Sequence, residues 1–141
     1  MRGWCWLLAA CCLAIVHCGC DSSKPTPQPA AQPVTAQEFV GKWRLIKAGG
    51  QPPAALNIKS LRIDIAADGS WVSEIEMQGQ FAGISMKGGG KWSLADSVVS
   101  YTSGDNAGKS RARLVSGRLV LEPDFSVRRD GTEEVAGEYE R

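Results

Sequence analysis

The chain is predicted to be all-β, with eight or nine short antiparallel strands closed into a barrel or stacked as a sandwich. Three observations carry this expectation. From Trp43 onward the apolar residues recur at every second position, which gives each segment one apolar and one polar face. Gly, Asp and Pro signals interrupt the alternation at short intervals. No stretch beyond Gly41 carries a helical repeat.

The elements before the strands are of another kind. Residues 1–20 read MRGWCWLLAACCLAIVHCGC. Arg2 gives a positive start, and Trp4 to Val16 form an apolar run of the length of a signal-peptide core. A transmembrane helix needs about 20 apolar residues, more than this run supplies. All five cysteines (Cys5, Cys11, Cys12, Cys18 and Cys20) fall in this stretch. A disulfide-stapled secreted domain would carry them in its folded part instead.

Gly19-Cys20 resembles the last two positions of a bacterial lipoprotein signal. His17 and Cys18 depart from the earlier two, and Leu8-Ala9-Ala10-Cys11 is a better literal match placed too early in the run. The resemblance implies that the leader is removed, that Cys20 is diacylated and its new amino terminus acylated (palmitate being one such chain), and that the protein sits in the cell envelope. It would be lipid-anchored there on the extracytoplasmic side of a membrane. Each buried CH₂ of an acyl chain contributes about 0.8 kcal/mol, and two or more chains give stable attachment.

Residues 21–34 read as a flexible tether. Pro25, Pro27, Pro29 and Pro33 favour an extended, unfolded spacer, and Val34 is the only large aliphatic. Residues 35–141 then form one domain. Thr35-Ala36-Gln37-Glu38 is a capping box that opens one short helical turn, which ends at Gly41.

The strands follow. Trp43 and Leu45 open the first. Leu61, Ile63 and Ile65 mark the next, followed by Trp71, Ser73, Ile75 and Met77. Register decides the loop between these two. A two-residue Asp68-Gly69 turn sets Ile63 opposite Glu74, mixing the faces. A three-residue Ala67-Asp68-Gly69 loop sets Ile65 opposite Trp71, Leu61 opposite Ile75 and Arg62 opposite Glu74. The three-residue loop is therefore expected. The same reasoning at Val115-Ser116-Gly117-Arg118 favours a two-residue turn, which pairs Leu114 with Leu119, Ala112 with Leu121 and Arg111 with Glu122. Further strands are expected near 81–87, 91–94, 98–103 and 133–140, with Gly88-Gly89-Gly90 read as a hairpin loop.

Gly41-Lys42-Trp43, just after the helical turn, resembles the Gly-x-Trp signature of lipocalins, and the chain ends on Tyr139-Glu140-Arg141. Asp68-Gly69-Ser70-Trp71, Gly90-Lys91-Trp92 and Gly117-Arg118-Leu119 are similar to turns of small bacterial lipocalin-like lipoproteins. The resemblance spans residues 35–141. It implies an antiparallel up-and-down β-barrel, closed structurally by Gly41, Trp43 and Arg141, with the arginine packed over the tryptophan. It also implies binding of a small apolar ligand.

Composition narrows the function classes. Lys and Arg number 16 against 15 Asp and Glu, and Arg2 is the only one of these in the leader. A balanced domain argues against nucleic acid. The one histidine, His17, also lies in the leader. The chain beyond Cys20 therefore lacks the residues of Ser–His or Cys–His catalysis and of zinc or copper sites. No enzyme activity, cofactor or metal is expected. Asp124 and Asp130 lack the calcium-loop pattern. Glu74 and Glu76 share an outward face near Arg62. Lys109, Arg111 and Arg113, with Arg128 and Arg129 nearby, form a basic stripe that either protects a strand edge or meets anionic headgroups.

Two functions follow from different classes. In one, the protein is a tethered binding module whose ligand-facing residues are Trp43, Ile63, Trp71, Ile75, Met77, Ile84, Met86 and Tyr101. In the other, these residues fill a solid barrel, and a structural envelope lipoprotein meets a protein partner through its outer face or the loop at 49–58.

Overall fold

The structure, a computed structural model, describes residues 30–126 and 135–141; the leader with Cys20, the tether through residue 29, and Arg128, Arg129 and Asp130 lie outside the described residues. In chain order the elements are β1 (Gln32–Pro33), α1 (Ala36–Phe39), β2 (Gly41–Ala48), β3 (Ile58–Ile65), β4 (Ser70–Met77), β5 (Ser85–Ala95), β6 (Val98–Ser103), β7 (Asn106–Val115), β8 (Arg118–Glu122) and β9 (Gly137–Glu140). Single 3-10 turns at Pro53–Leu56 and Gly79–Phe81 sit in the β2–β3 and β4–β5 loops.

From β2 to β9 each strand pairs antiparallel with the next, and β9 returns to β2. The result is a closed eight-stranded up-and-down antiparallel barrel preceded by a short helical turn. Closure leaves no continuous sheet edge. At the helical turn, Thr35 Oγ1 accepts from Glu38 N–H at 3.3 Å, and the Glu38 carboxylate accepts from Thr35 N–H at 2.9 Å. The Thr35 backbone and hydroxyl bonds hold the Glu38 carboxyl below its usual range.

Both hairpin registers follow from matching apolar faces. Ile65 pairs with Trp71, Leu61 with Ile75 and Arg62 with Glu74, with Gly69 at φ 79 in the three-residue loop. Leu114 pairs with Leu119, Ala112 with Leu121 and Arg111 with Glu122. Ser116 and Gly117 take φ values of 52 and 77, the two positive angles of a type I′ turn.

Two expectations are corrected. Gly88-Gly89-Gly90 is not a loop: the segments near 81–87 and 91–94 are largely one strand, β5, running through the glycines from Ser85, while Phe81 lies in a 3-10 turn. Space explains this. A Cβ on Gly88 would lie 2.9 Å from Ser73 Oγ, and one on Gly90 would lie 1.6 Å from the Thr102 carbonyl oxygen. The glycines let β5 run close to the Trp71 side chain and to β6. The tether boundary also moves. Gln32 and Pro33 pair with Leu114 and Arg113 of β7, and Val34 is buried in the core.

Inward residues of all eight strands share one apolar cluster with Phe39 and Phe125. The outer face is wet and charge-paired. Lys87 Nζ lies 2.6 Å from Glu74, Lys59 Nζ lies 3.2 Å from Glu76, and Arg44 pairs with Glu140. These lysines, more than Arg62, hold the two glutamates below their usual carboxyl range.

Candidate functional site: the loop end of the barrel

Up-and-down order sorts the connections onto two ends. The β3–β4, β5–β6 and β7–β8 turns share one end with α1 and Arg141. The β2–β3, β4–β5, β6–β7 and β8–β9 loops share the other.

The first end is sealed. Trp43 Nε1 donates to Phe39 O at 2.9 Å. Trp92 Nε1 donates to Ala66 O and Ser70 O, each at 3.0 Å, and its ring meets Phe39 edge-on at 5.0 Å. Arg141 lies over Trp43 with its guanidinium 4.8 Å from the ring centroid, and its Nη2 donates to Glu38 O at 2.7 Å. Gly41 has φ 147, and a Cβ there would stand 3.7 Å from Arg141 Nε and 3.8 Å from Trp43 Nε1. Gly41, Trp43 and Arg141 thus meet at one point.

The loop end is built differently. Its aromatic floor consists of Trp71, Tyr101 and Phe125. Phe125 meets Trp71 edge-on at 5.0 Å and Tyr101 at 4.7 Å. Trp71 Nε1 donates to Thr102 O at 3.2 Å across the gap that Gly90 leaves. Tyr101 lies over Gly108, where a Cβ would be 2.5 Å from the tyrosine oxygen. Phe125 belongs to no strand. Its segment is fixed by Ser110 Oγ donating to Pro123 O at 2.6 Å and by Asp124 N–H donating to Val135 O at 2.7 Å.

The Asp124 carboxylate completes that fixture. It accepts from Tyr139 O–H at 2.5 Å and from Ser126 N–H and O–H at 2.9 and 2.8 Å. Only a glycine at 137 leaves room, since a Cβ there would lie 1.7 Å from Asp124 Oδ2. Burial first, and the Asp124 charge second, push the Tyr139 phenol well above its ordinary range.

Above the floor, one wall rises. Ile75 pairs with Leu61 on one side and with Met86 on the other, so all three face inward; Met77 shares that face and pairs with Ile58. Met77 N–H donates to Ile84 O at 3.0 Å, which places Ile84 alongside. Leu61 is fully buried and Ile75 and Met77 are half-buried, whereas Ile84 and Met86 remain 49% and 47% exposed. Phe81, in the same loop, is 40% exposed. The β2–β3 and β4–β5 loops lock together through Gln78 N–H to Asn57 O at 2.7 Å and Gln78 Nε2 to Ala54 O at 3.3 Å. Residues 49–57 and 78–86 contain no charged side chain.

The eight residues expected to face a ligand therefore divide. Trp43 and Ile63 are core, the former at the sealed end. Trp71 and Tyr101 form the floor; Ile75, Met77, Ile84 and Met86 form the wall. Sequence reasoning missed Phe125, because an apolar residue inside a polar loop carries no periodicity. It also missed the Asp124–Ser126–Tyr139 cluster, whose members lie too far apart in the chain to suggest contact. Gly108, beside Tyr101, had no sequence signal.

The outer surface offers a weaker alternative. A groove of about 800 Å³ crosses β2–β4, lined by Lys42, Arg44, Arg62, Asp64, Val72, Glu74 and Arg141 among others. An apolar molecule there would desolvate those charges. In the basic stripe, Arg113 pairs with Glu122 at 2.7 Å, and Lys109 and Arg111 are exposed. Among the described residues no group of three or more His, Cys, Asp or Glu could hold a metal ion.

No protein-family model matches the chain, and neither a curated protein nor a solved structure matches it.

Proposed function

We propose that the protein is a non-enzymatic, membrane-tethered binding module of lipocalin-like architecture that takes a small apolar molecule at the loop end of its barrel. One observation carries the reading: Ile84 and Met86 continue the inward apolar line of β4 and β5 yet stay about half exposed. Apolar side chains on the inner face of a barrel mouth, over an aromatic floor and beside an uncharged rim, are what an apolar guest would cover. The Gly41–Trp43–Arg141 arrangement supports the lipocalin-like assignment. Acylation at Cys20 would hold the module in the cell envelope on the extracytoplasmic side, and residues 21–29 would space it from the membrane.

A second reading has its own support. Phe125 occupies the space between Trp71 and Tyr101, and all three are at most 9% exposed. A barrel filled in this way would act as a structural or protein-binding envelope lipoprotein.

Native mass spectrometry of the full protein, extracted from its own membranes, separates the two. The binding module should carry a small apolar adduct that organic extraction removes. Protein at its bare acylated mass, unable to take up an added fatty acid or aromatic probe, would leave only the second reading. Cys20→Ala should release the protein from the membrane without unfolding it; retention at the membrane would remove the anchor from the proposal.

A further inference from the structure

The barrel ring is complete, but β5 outruns its neighbour. β4 pairs with β5 from Ser85 to Lys91, whereas β6 pairs with β5 only from Lys91 to Ala95. Among the described residues no strand lies against the other side of Ser85–Gly89. The phase of this edge is fixed. Met77 N–H bonds to Ile84 O, so Ile84, Met86 and Gly88 turn their backbone groups toward β4. Ser85, Lys87 and Gly89 turn their N–H and C=O groups away from it. Lys91, two residues on with the same parity, donates its N–H to Thr102 Oγ1 on β6 at 3.3 Å, consistent with that phase. Apart from Lys87, a charge of the kind that guards edges, the usual protections are missing: among the described residues the run has no proline, no bulge and no covering helix. Its one charge, Lys87, is paired with Glu74.

The geometry points to β-strand addition: we propose that the free edge of Ser85, Lys87 and Gly89 accepts an extended segment of another polypeptide. Three alternative occupants fit less well. A bilayer cannot satisfy a row of backbone donors and acceptors. A small apolar ligand cannot satisfy it either. A second copy paired antiparallel about Lys87 would set two lysines opposite each other, where like charges repel; the registers centred on Met86 or Gly88 avoid that pair, and the protein-concentration arm of the test below reads them. An extended chain supplies the missing hydrogen bonds, and its inward side chains would lie beside Met86 and Ile84, which are half exposed. The segment expected is therefore one that alternates apolar with uncharged polar residues. The backbone edge carries this inference independently of the small-ligand reading, although an added strand would lie against the same Ile84 and Met86; amide exchange at Ser85, Lys87 and Gly89 tells the two apart.

The test uses the full-length protein in detergent and a synthetic peptide of alternating valine and threonine. Proline is tolerated on an edge strand where its missing N–H would face solvent, and Lys87 is such a position. Wild type and Lys87→Ala should bind the peptide alike, and Lys87→Pro should bind at least tenfold more weakly. Equal binding by Lys87→Pro, or no binding by wild type, would overturn the proposal. Should Lys87→Pro fail to fold, amide exchange on the wild type decides. Slowing at Ser85, Lys87 and Gly89 on adding peptide supports strand addition. Unchanged exchange overturns it, as does slowing produced by phosphatidylglycerol vesicles or by raised protein concentration alone.

Discussion

The guanidinium of Arg141 lies 4.8 Å from the centre of the Trp43 ring and donates to the carbonyl of Glu38, so the residue after β9 holds both the first barrel strand and the helical turn before it. The contact joins the two ends of the domain across the seam where the barrel closes. Arg141→Ala removes a cation–π contact and a charged hydrogen bond, and should cost about 1–2 kcal/mol. Arg141→Lys keeps the charge but not the planar fork, and should recover only part of that loss. Urea unfolding of the three proteins measures both effects, and equal midpoints would show that the seam does not depend on this residue.

Gly90 makes a sharper case. Its added Cβ would stand 1.6 Å from a backbone oxygen, so the strands themselves must separate, and Trp71 would lose its bond to Thr102 O. Gly90→Ala should destabilise by about 3 kcal/mol or more, at or beyond the upper range for overpacking. Gly50→Ala is the comparison. No atom lies within 4 Å of the added Cβ there, and only the strain of φ 76 remains, about 1 kcal/mol at the low end of such costs. Thermal melts that rank the two the other way would contradict the account of β5.

Tyr139 sets an alkaline limit. Its buried phenol has a raised pKa, so the unfolded chain ionises first, near the ordinary tyrosine value of about 10. The stability tied to this group is complete below that pH and is lost as pH climbs toward the folded value. Tyr139→Phe should cost about 1–3 kcal/mol at neutral pH, because Asp124 loses a buried donor. The difference between the two proteins should then shrink above about pH 10. Denaturant titrations from pH 7 to 11 report the gap; a constant gap would mean that Tyr139 does not titrate in this way.

The two hairpins were legible in the sequence because face matching leaves one register at Ala67–Gly69 and one at Ser116–Gly117. The glycine run misled because glycine serves two purposes. At Gly69 it supplies a positive φ, whereas at Gly88 and Gly90 it supplies room for Trp71, Ser73 and Thr102, which only the assembled sheet reveals. The inner wall was partly legible, since Ile75 and Met77 keep the period of two through β4. Phe125 and its Asp124 fixture were not, because they depend on the segment just after β8 meeting Trp71 and Tyr101, which lie far away in the chain. Val34 and Gln32–Pro33 looked like spacer for a related reason: a single apolar residue among prolines gains meaning only when β7 offers it a place.

The mouth itself provides the most direct test. Titration of a hydrophobic fluorescent probe, N-phenyl-1-naphthylamine, into wild type, Met86→Glu and Val72→Glu compares an inner-face charge with an outer-face charge. Val72 and Met86 are almost equally exposed, at 49% and 47%, so neither substitution should unfold the barrel. Wild type and Val72→Glu should bind with similar affinity, and Met86→Glu should bind at least tenfold more weakly. Equal binding by all three, or none by wild type, would contradict an apolar site at the loop end.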